Sequence, residues 1–103
     1  MIVREWRGWT KRDNAEAYPE HFRSRVAPEL KALSGFLSAE LCRRVTSDRV
    51  EFVVLSRWRS LDAIRAFAGD DIGRAVVEPG AIAALEGFDE SVRHYEEIDT
   101  VLP

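Results

Sequence analysis

The residues on which chemistry would rest in this chain are two histidines, three tryptophans and an arginine close to the N-terminus. His94 falls in the segment Ser91–Ile98, with Val92 and Glu96 on its side of an alternating pattern. An imidazole titrates near neutrality and is the natural proton acceptor for a phenol. The plainer reading is a structural histidine hydrogen-bonded to a neighbour. Arg4 and Trp6 are two residues apart and would share one face of a first strand. A guanidinium beside an indole would hold an anionic substrate oxygen, or simply lay its stem over the ring. Trp58 alternates with Phe52, Val54 and Ser56 and would be either a cavity wall or ordinary core. Phe67 lies on the apolar face of the helix that follows. His21 sits beside an apolar helical stripe and reads as a boundary residue. Taken together, Trp6, Trp58 and Phe67 would wall an apolar pocket in which His94 handles a proton and Arg4 holds an anion. Such a pocket suits a small aromatic molecule.

Other chemistries lack their residues. The two histidines and the single cysteine, Cys42, show no ligand spacing, so no metal is expected. Gly69 and Gly73 do not form a phosphate loop, and no Ser or Cys stands in a nucleophile elbow. Acids and bases are interspersed at a net charge of −3, which argues against nucleic acid. An RNA-binding version of the fold would need exposed aromatics flanked by bases, and Phe52-Val53-Val54-Leu55 lacks them. Met1–Thr10 has no apolar core of a secretory signal, and no apolar run approaches the ~20 residues of a membrane span. One cysteine cannot form an internal disulfide, and the expected compartment is the cytoplasm.

The elements that must position these residues are short. At 103 residues, 46% hydrophobic and 32% charged, the chain fits one globular domain over its whole length, 1–103. Ile2–Trp9 reads as a strand. Asp13 to Glu16 has the form of a capping box opening a helix. Tyr18, Phe22, Val26, Leu30 and Leu33 form one apolar stripe, interrupted by Pro19 and Pro28, so a kinked helix or two pieces end to end are expected. Phe36–Val45 and Val50–Trp58 are strands joined by the polar turn 46–49. Ser60 caps a second helix that Gly69 ends. A further helical piece is expected over 70–77, broken by Pro79-Gly80, then one more turn and a last strand at 91–98. The class is α+β in the order β-α-β-β-α-β, with sheet order 4-1-3-2.

Phe52-Val53-Val54-Leu55 is apolar on both sides of a strand, so both faces of the sheet should be covered there. Two helices cover one face. A second copy of the chain is the economical cover for the other, which would carry Val53 and Leu55, with Leu37, Ala39 and Leu41 beside them. A homodimer is therefore expected.

The stretch Leu55–Asp71, with Trp58-Arg59-Ser60 leading into an amphipathic helix, resembles the antibiotic biosynthesis monooxygenase family. So do the Leu33-Ser34-Gly35-Phe36 junction and the closing Val92-Arg93-His94-Tyr95-Glu96. The resemblance implies a ferredoxin-like protomer forming a dimeric α/β barrel. It also implies a family that spans oxygenases, haem degraders, isomerase-like proteins and members of unknown activity. In its cofactor-free oxygenases an ionised aromatic substrate itself reduces oxygen in a dry cavity, bordered by the tryptophan that Trp58 matches. The resemblance places Val54 at the cavity Asn of the quinone-forming type and Ile64 at its Tyr. It places Phe67 at the helix Trp of the haem degraders and Val77 near their iron-binding His. Their first-strand Asn has no counterpart among Glu5, Trp6, Arg7 and Gly8. No prosthetic group is expected. Two functions remain in view: a cofactor-free oxygenase of an aromatic or polyketide-like molecule, and a non-catalytic dimeric module that binds a small ligand or serves a stress or regulatory role.

Overall fold

The computed structural model describes residues 1–103. Its strands are β1 (Ile2–Thr10), β2 (Phe36–Val45), β3 (Val50–Trp58), β4 (Gly87–Phe88) and β5 (Arg93–Glu96). They form one antiparallel sheet in the order β2-β3-β1, with both β4 and β5 pairing on the outer side of β1. This is the expected 4-1-3-2 arrangement with its last strand divided in two. The helices α1 (Ala17–His21), α2 (Ala27–Lys31), α3 (Leu61–Ala68) and α4 (Pro79–Ala84) all contribute to the cores on one face of it.

Between α1 and α2 the residues Phe22–Val26 make a π-helical turn, in which Ala27 N–H donates to the Phe22 carbonyl. The sequence carries the reason. Residues four apart drift about 40° per step around an α-helix, so Tyr18, Phe22, Val26 and Leu30 would spiral off one face. The wider turn absorbs that drift and keeps all four toward the sheet. It also lets Pro28, which has no N–H, sit in the first turn of α2. The capping box does not form. Arg12–Asn14 is a 3-10 turn, α1 begins without a side-chain cap, and the Glu16 carboxylate accepts from Arg43 at 2.8 Å instead. At α3 the cap is as expected: Ser60 Oγ accepts from Ala63 N–H at 3.1 Å, and Gly69 ends the helix at φ +78°.

Two segments differ from the expectation of the sequence. Residues 70–77 form no helix; a turn closed by Arg74 N–H on the Asp71 carbonyl leads into a stretch bridged to 90–92 by the Arg74–Ser91 pair, and Pro79 opens α4 instead of breaking a helix. That is the position where a missing N–H costs nothing. The second is β2. The hairpin register, with Val45 opposite Val50, sets Ala39 opposite Ser56 and Leu41 opposite Val54, so Ala39 faces the Trp58 cluster and Leu41 the Phe52 cluster, both under the helices, and a bulge between Phe36 and Ser38 brings Phe36 to the same face. Ser38, Glu40 and Cys42 take the open face, opposite Arg57, Leu55 and Val53. The apolar strip on that face is therefore confined to β3 and β1 and framed by ion pairs such as Arg57–Glu40 at 2.7 Å and Arg93–Glu5 at 3.6 Å.

Two clusters make the core. One is built on Tyr18, Val50, Phe52, Ala81 and Ala84, the other on Leu30, Trp58 and Ile64. The candidate site lies between them. No helix is long and apolar enough to cross a membrane.

Candidate active site

The sheet register sets the site. One row across it reads Ala39, Ser56, Arg4, His94, and the next reads Leu41, Val54, Trp6, all on the helix side. Above Arg4, Trp6, Val54 and Ser56 lies a cavity of about 50 Å³, open to solvent on one side. Its roof comes from Tyr18 and His21 of α1, Val26, Leu30, and Phe67 of α3; Val76, Glu78 and Ala81 close one flank. The cavity thus lies under the first helix as much as the second.

Arg4 dominates the electrostatics. It is only 4% exposed, and burying a cation is costly unless it is hydrogen-bonded. Its Nη1 donates to the Ile72 carbonyl at 2.5 Å and to His94 Nε2 at 2.9 Å, and its Nη2 donates to the Arg74 carbonyl at 3.0 Å. None of these partners is a carboxylate. Burial lowers its pKa to about 10, so it stays charged at neutral pH. A guanidinium has five N–H donors; three are engaged here, and two are left without a protein acceptor. Its carbon lies 5.7 Å from the Phe67 ring centroid.

Because a guanidinium only donates, His94 Nε2 must be the accepting nitrogen and Nδ1 must carry the proton. Burial first, and then the Arg4 charge, hold the His94 pKa below its usual value. His94 is therefore neutral, on the helix face as expected. Its Nε2 lone pair faces Arg4, and its ring does not line the cavity. Trp58 is also outside the lining. It is wholly buried, its indole N–H donates to Ser56 Oγ at 2.9 Å, and it stacks on Phe67 with 5.8 Å between centroids. The cavity therefore brings together Arg4, Trp6 and Phe67, and is linked to Trp58 through Phe67 and Ser56 and to His94 through Arg4. Trp6 is fixed by its own N–H, donated to the Asp89 carbonyl at 2.9 Å, and by Tyr18, 5.5 Å away.

Tyr18, His21, Ser56 and Glu78 also line the cavity and were not read as site residues from the sequence. Burial, then the Glu78 carboxylate, push the Tyr18 pKa up, so the phenol remains a donor. The sequence signal was present: His21 lies three residues after Tyr18, hence on nearly the same helix face.

No group of three or more His, Cys, Asp or Glu converges anywhere to hold a metal. A haem does not fit the site either. The cavity is many times smaller than a porphyrin, and Val77, at the place of the expected axial ligand, packs against the Phe52 cluster.

The family model for antibiotic biosynthesis monooxygenases matches residues 1–79. The chain belongs to that family. The match takes in Arg4, Trp6, His21, Trp58 and Phe67 and stops short of His94. Among solved structures, this family member is similar to SnoaB, a cofactor-independent oxygenase from Streptomyces nogalater, with a TM-score of 0.61 at 21% identity over 97% of this chain and 96% of that one. It is similar to the monooxygenase from the gene ActVA-Orf6 of Streptomyces coelicolor, solved with nanaomycin D, with a TM-score of 0.64 at 19% identity over 99% and 91%. It is similar as well to the heme-degrader MhuD of Mycobacterium tuberculosis, solved with two hemes in its active site, with a TM-score of 0.59 at 20% identity over 98% and 99%. At these identities the likeness is one of fold. No curated protein matches the chain.

Proposed function

We propose that this antibiotic biosynthesis monooxygenase family member is a small oxygenase that uses no bound cofactor and acts, as a cytoplasmic homodimer, on a one-ring aromatic compound bearing an ionised hydroxyl or enol oxygen. The observation that carries this reading is Arg4. It is a buried cation with no carboxylate partner, held in place by two carbonyls and His94, in the wall of an otherwise largely apolar cavity. Its two unengaged N–H groups can donate charge-assisted hydrogen bonds to a substrate oxyanion. An ionised phenol or enol gives up electrons to molecular oxygen more readily than its neutral form. Oxygen is the co-reactant, and the substrate is the reductant. Trp6, Phe67 and Val54 keep water from the reacting carbon. His94 positions Arg4, and Trp58 positions Phe67.

Oxygen consumption with a panel of monocyclic phenols and enols tests the reading. Saturable uptake that is lost in Arg4→Met and weakened in His94→Ala is expected. Uptake no faster than in protein-free buffer across the panel would overturn it.

The cavity's size favours a second reading, that of a ligand-binding module. At about 50 Å³, its enclosed part takes roughly four waters, so a single ring fills it only by extending into the open mouth or moving a roof side chain, and a fused polycycle would have to displace a wall. Tight binding of a panel compound without oxygen uptake would establish the module.

The homodimer rests on Val53 and Leu55. They are only partly buried, on the sheet face that no helix covers. The cytoplasmic placement rests on Cys42, a free exposed thiol, which suits a reducing compartment.

A further inference from the structure

His21, one of the residues of the helix roof, carries a polar atom that the protein leaves unsatisfied. His21 Nε2 is buried and has no hydrogen-bond partner, and it is the only buried side-chain polar atom in the chain in that condition. A buried, unpaired donor or acceptor destabilises the fold, so such an atom needs an explanation. The ring is also seated with care. Its Nδ1 edge rests on Gly80 in the first turn of α4, where a Cβ would come within 2.6 Å of Nδ1. Any other residue at 80 would push the imidazole away. On its other side Tyr18 packs at 5.9 Å between centroids. The remaining nitrogen belongs to a ring that lines the cavity.

We propose that His21 is the second polar anchor of the cavity, and that the ligand is a one-ring acid carrying two oxygen functions: an oxyanion held by Arg4 on the sheet and a hydroxyl hydrogen-bonded by His21 Nε2 on the helix. This rests on the reading of the cavity as the ligand site and gives its substrate class. The two anchors sit on opposite layers, so a compound with both groups bridges sheet and helix, whereas one with a single oxygen leaves one anchor unpaired. An imidazole nitrogen serves as donor or acceptor according to tautomer, so either sense of that hydrogen bond is available.

The probes are benzoate and its three hydroxy isomers, titrated calorimetrically into the intact protein, with thermal melts confirming that each variant folds. At least one hydroxybenzoate is expected to bind about tenfold tighter than benzoate, the worth of one well-made hydrogen bond. In His21→Leu that preference, read as the ratio of the hydroxybenzoate and benzoate affinities in the same variant, collapses, and His21→Gln restores part of it. Gly80→Ala, which moves the imidazole without removing it, erodes the same preference. A hydroxyl preference that survives His21→Leu, or its absence in the wild type, would overturn the assignment. Because the readout is binding, it is separable from the oxygenase reading: a His21-dependent preference without oxygen uptake sustains the anchor and removes the enzyme.

Discussion

A single side chain, Arg4, joins three parts of the molecule, and its neighbour His94 makes that junction sensitive to pH. His94 is held below its ordinary value of 6.5 by burial and by the facing guanidinium. Below about 6.5 the unfolded chain takes up a proton that the folded chain resists, so this contribution to stability is intact above 6.5 and declines as pH falls through it toward the folded-state value. Wild-type melting temperature should therefore fall between about pH 8 and about pH 5.5 more steeply than that of His94→Gln, whose amide oxygen accepts from Arg4 without titrating. Equal slopes for the two proteins would show that His94 is not the group responsible. The sequence disclosed this pair only in part. Arg4, Trp6 and His94 share the helix face as their alternation predicts. That His94 Nε2 would face Arg4 instead of a substrate depends on β5 pairing with β1 in one particular register, which alternation alone does not fix.

The elements were legible where the signal is local. The strands 36–45 and 50–58, the turn between them and the α3 caps all follow from residue type and spacing. Misreadings arose where a tertiary contact outweighs a local one. Glu16 leaves its capping role for Arg43, and residues 73–75 are drawn out of a helix by backbone pairing to 90–92. Ala39 and Leu41 face inward because the hairpin sets them opposite Ser56 and Val54, a register that the alternation of β2 by itself does not fix, and a one-residue bulge beyond them turns Phe36 to the same side. The loop from α2 into β2 shows how tightly these elements are joined. Gly35 sits at φ +85°, and a Cβ there would lie 2.5 Å from Ala63 Cβ. Gly35→Ala should destabilise by about 1–3 kcal/mol through backbone strain alone, with more from the contact. Chemical denaturation would measure it, and a loss under half a kilocalorie would mean that α3 yields more easily than its packing suggests.

On the scale of the whole molecule, one sheet face is roofed by helices and the other is bare. The bare face combines an apolar strip at Val53 and Leu55 with bordering ion pairs, which suits a two-fold partner of the same composition. Light scattering should give twice the protomer's 11.7 kDa. Val53→Asp should lower that to the protomer or prevent folding, since it places an unpaired carboxylate in an apolar interface. A wild-type monomer at micromolar concentration would remove the dimer. Stability will not be uniform across the molecule, however. The stretch between α3 and α4 contributes few side chains to either core and is tied down by the backbone pairs near Arg74 and by Arg4, which grips the carbonyls of Ile72 and Arg74. Withdrawing that grip should turn the stretch into a separately opening unit, with exchange and cleavage rates of its own. Under native conditions trypsin should cut after the exposed Arg74 faster in Arg4→Met than in wild type, well before global unfolding. An oxyanion that draws Arg4 toward the cavity would loosen the same stretch, so ligand occupancy would be written into the protease sensitivity of a segment that the ligand scarcely touches.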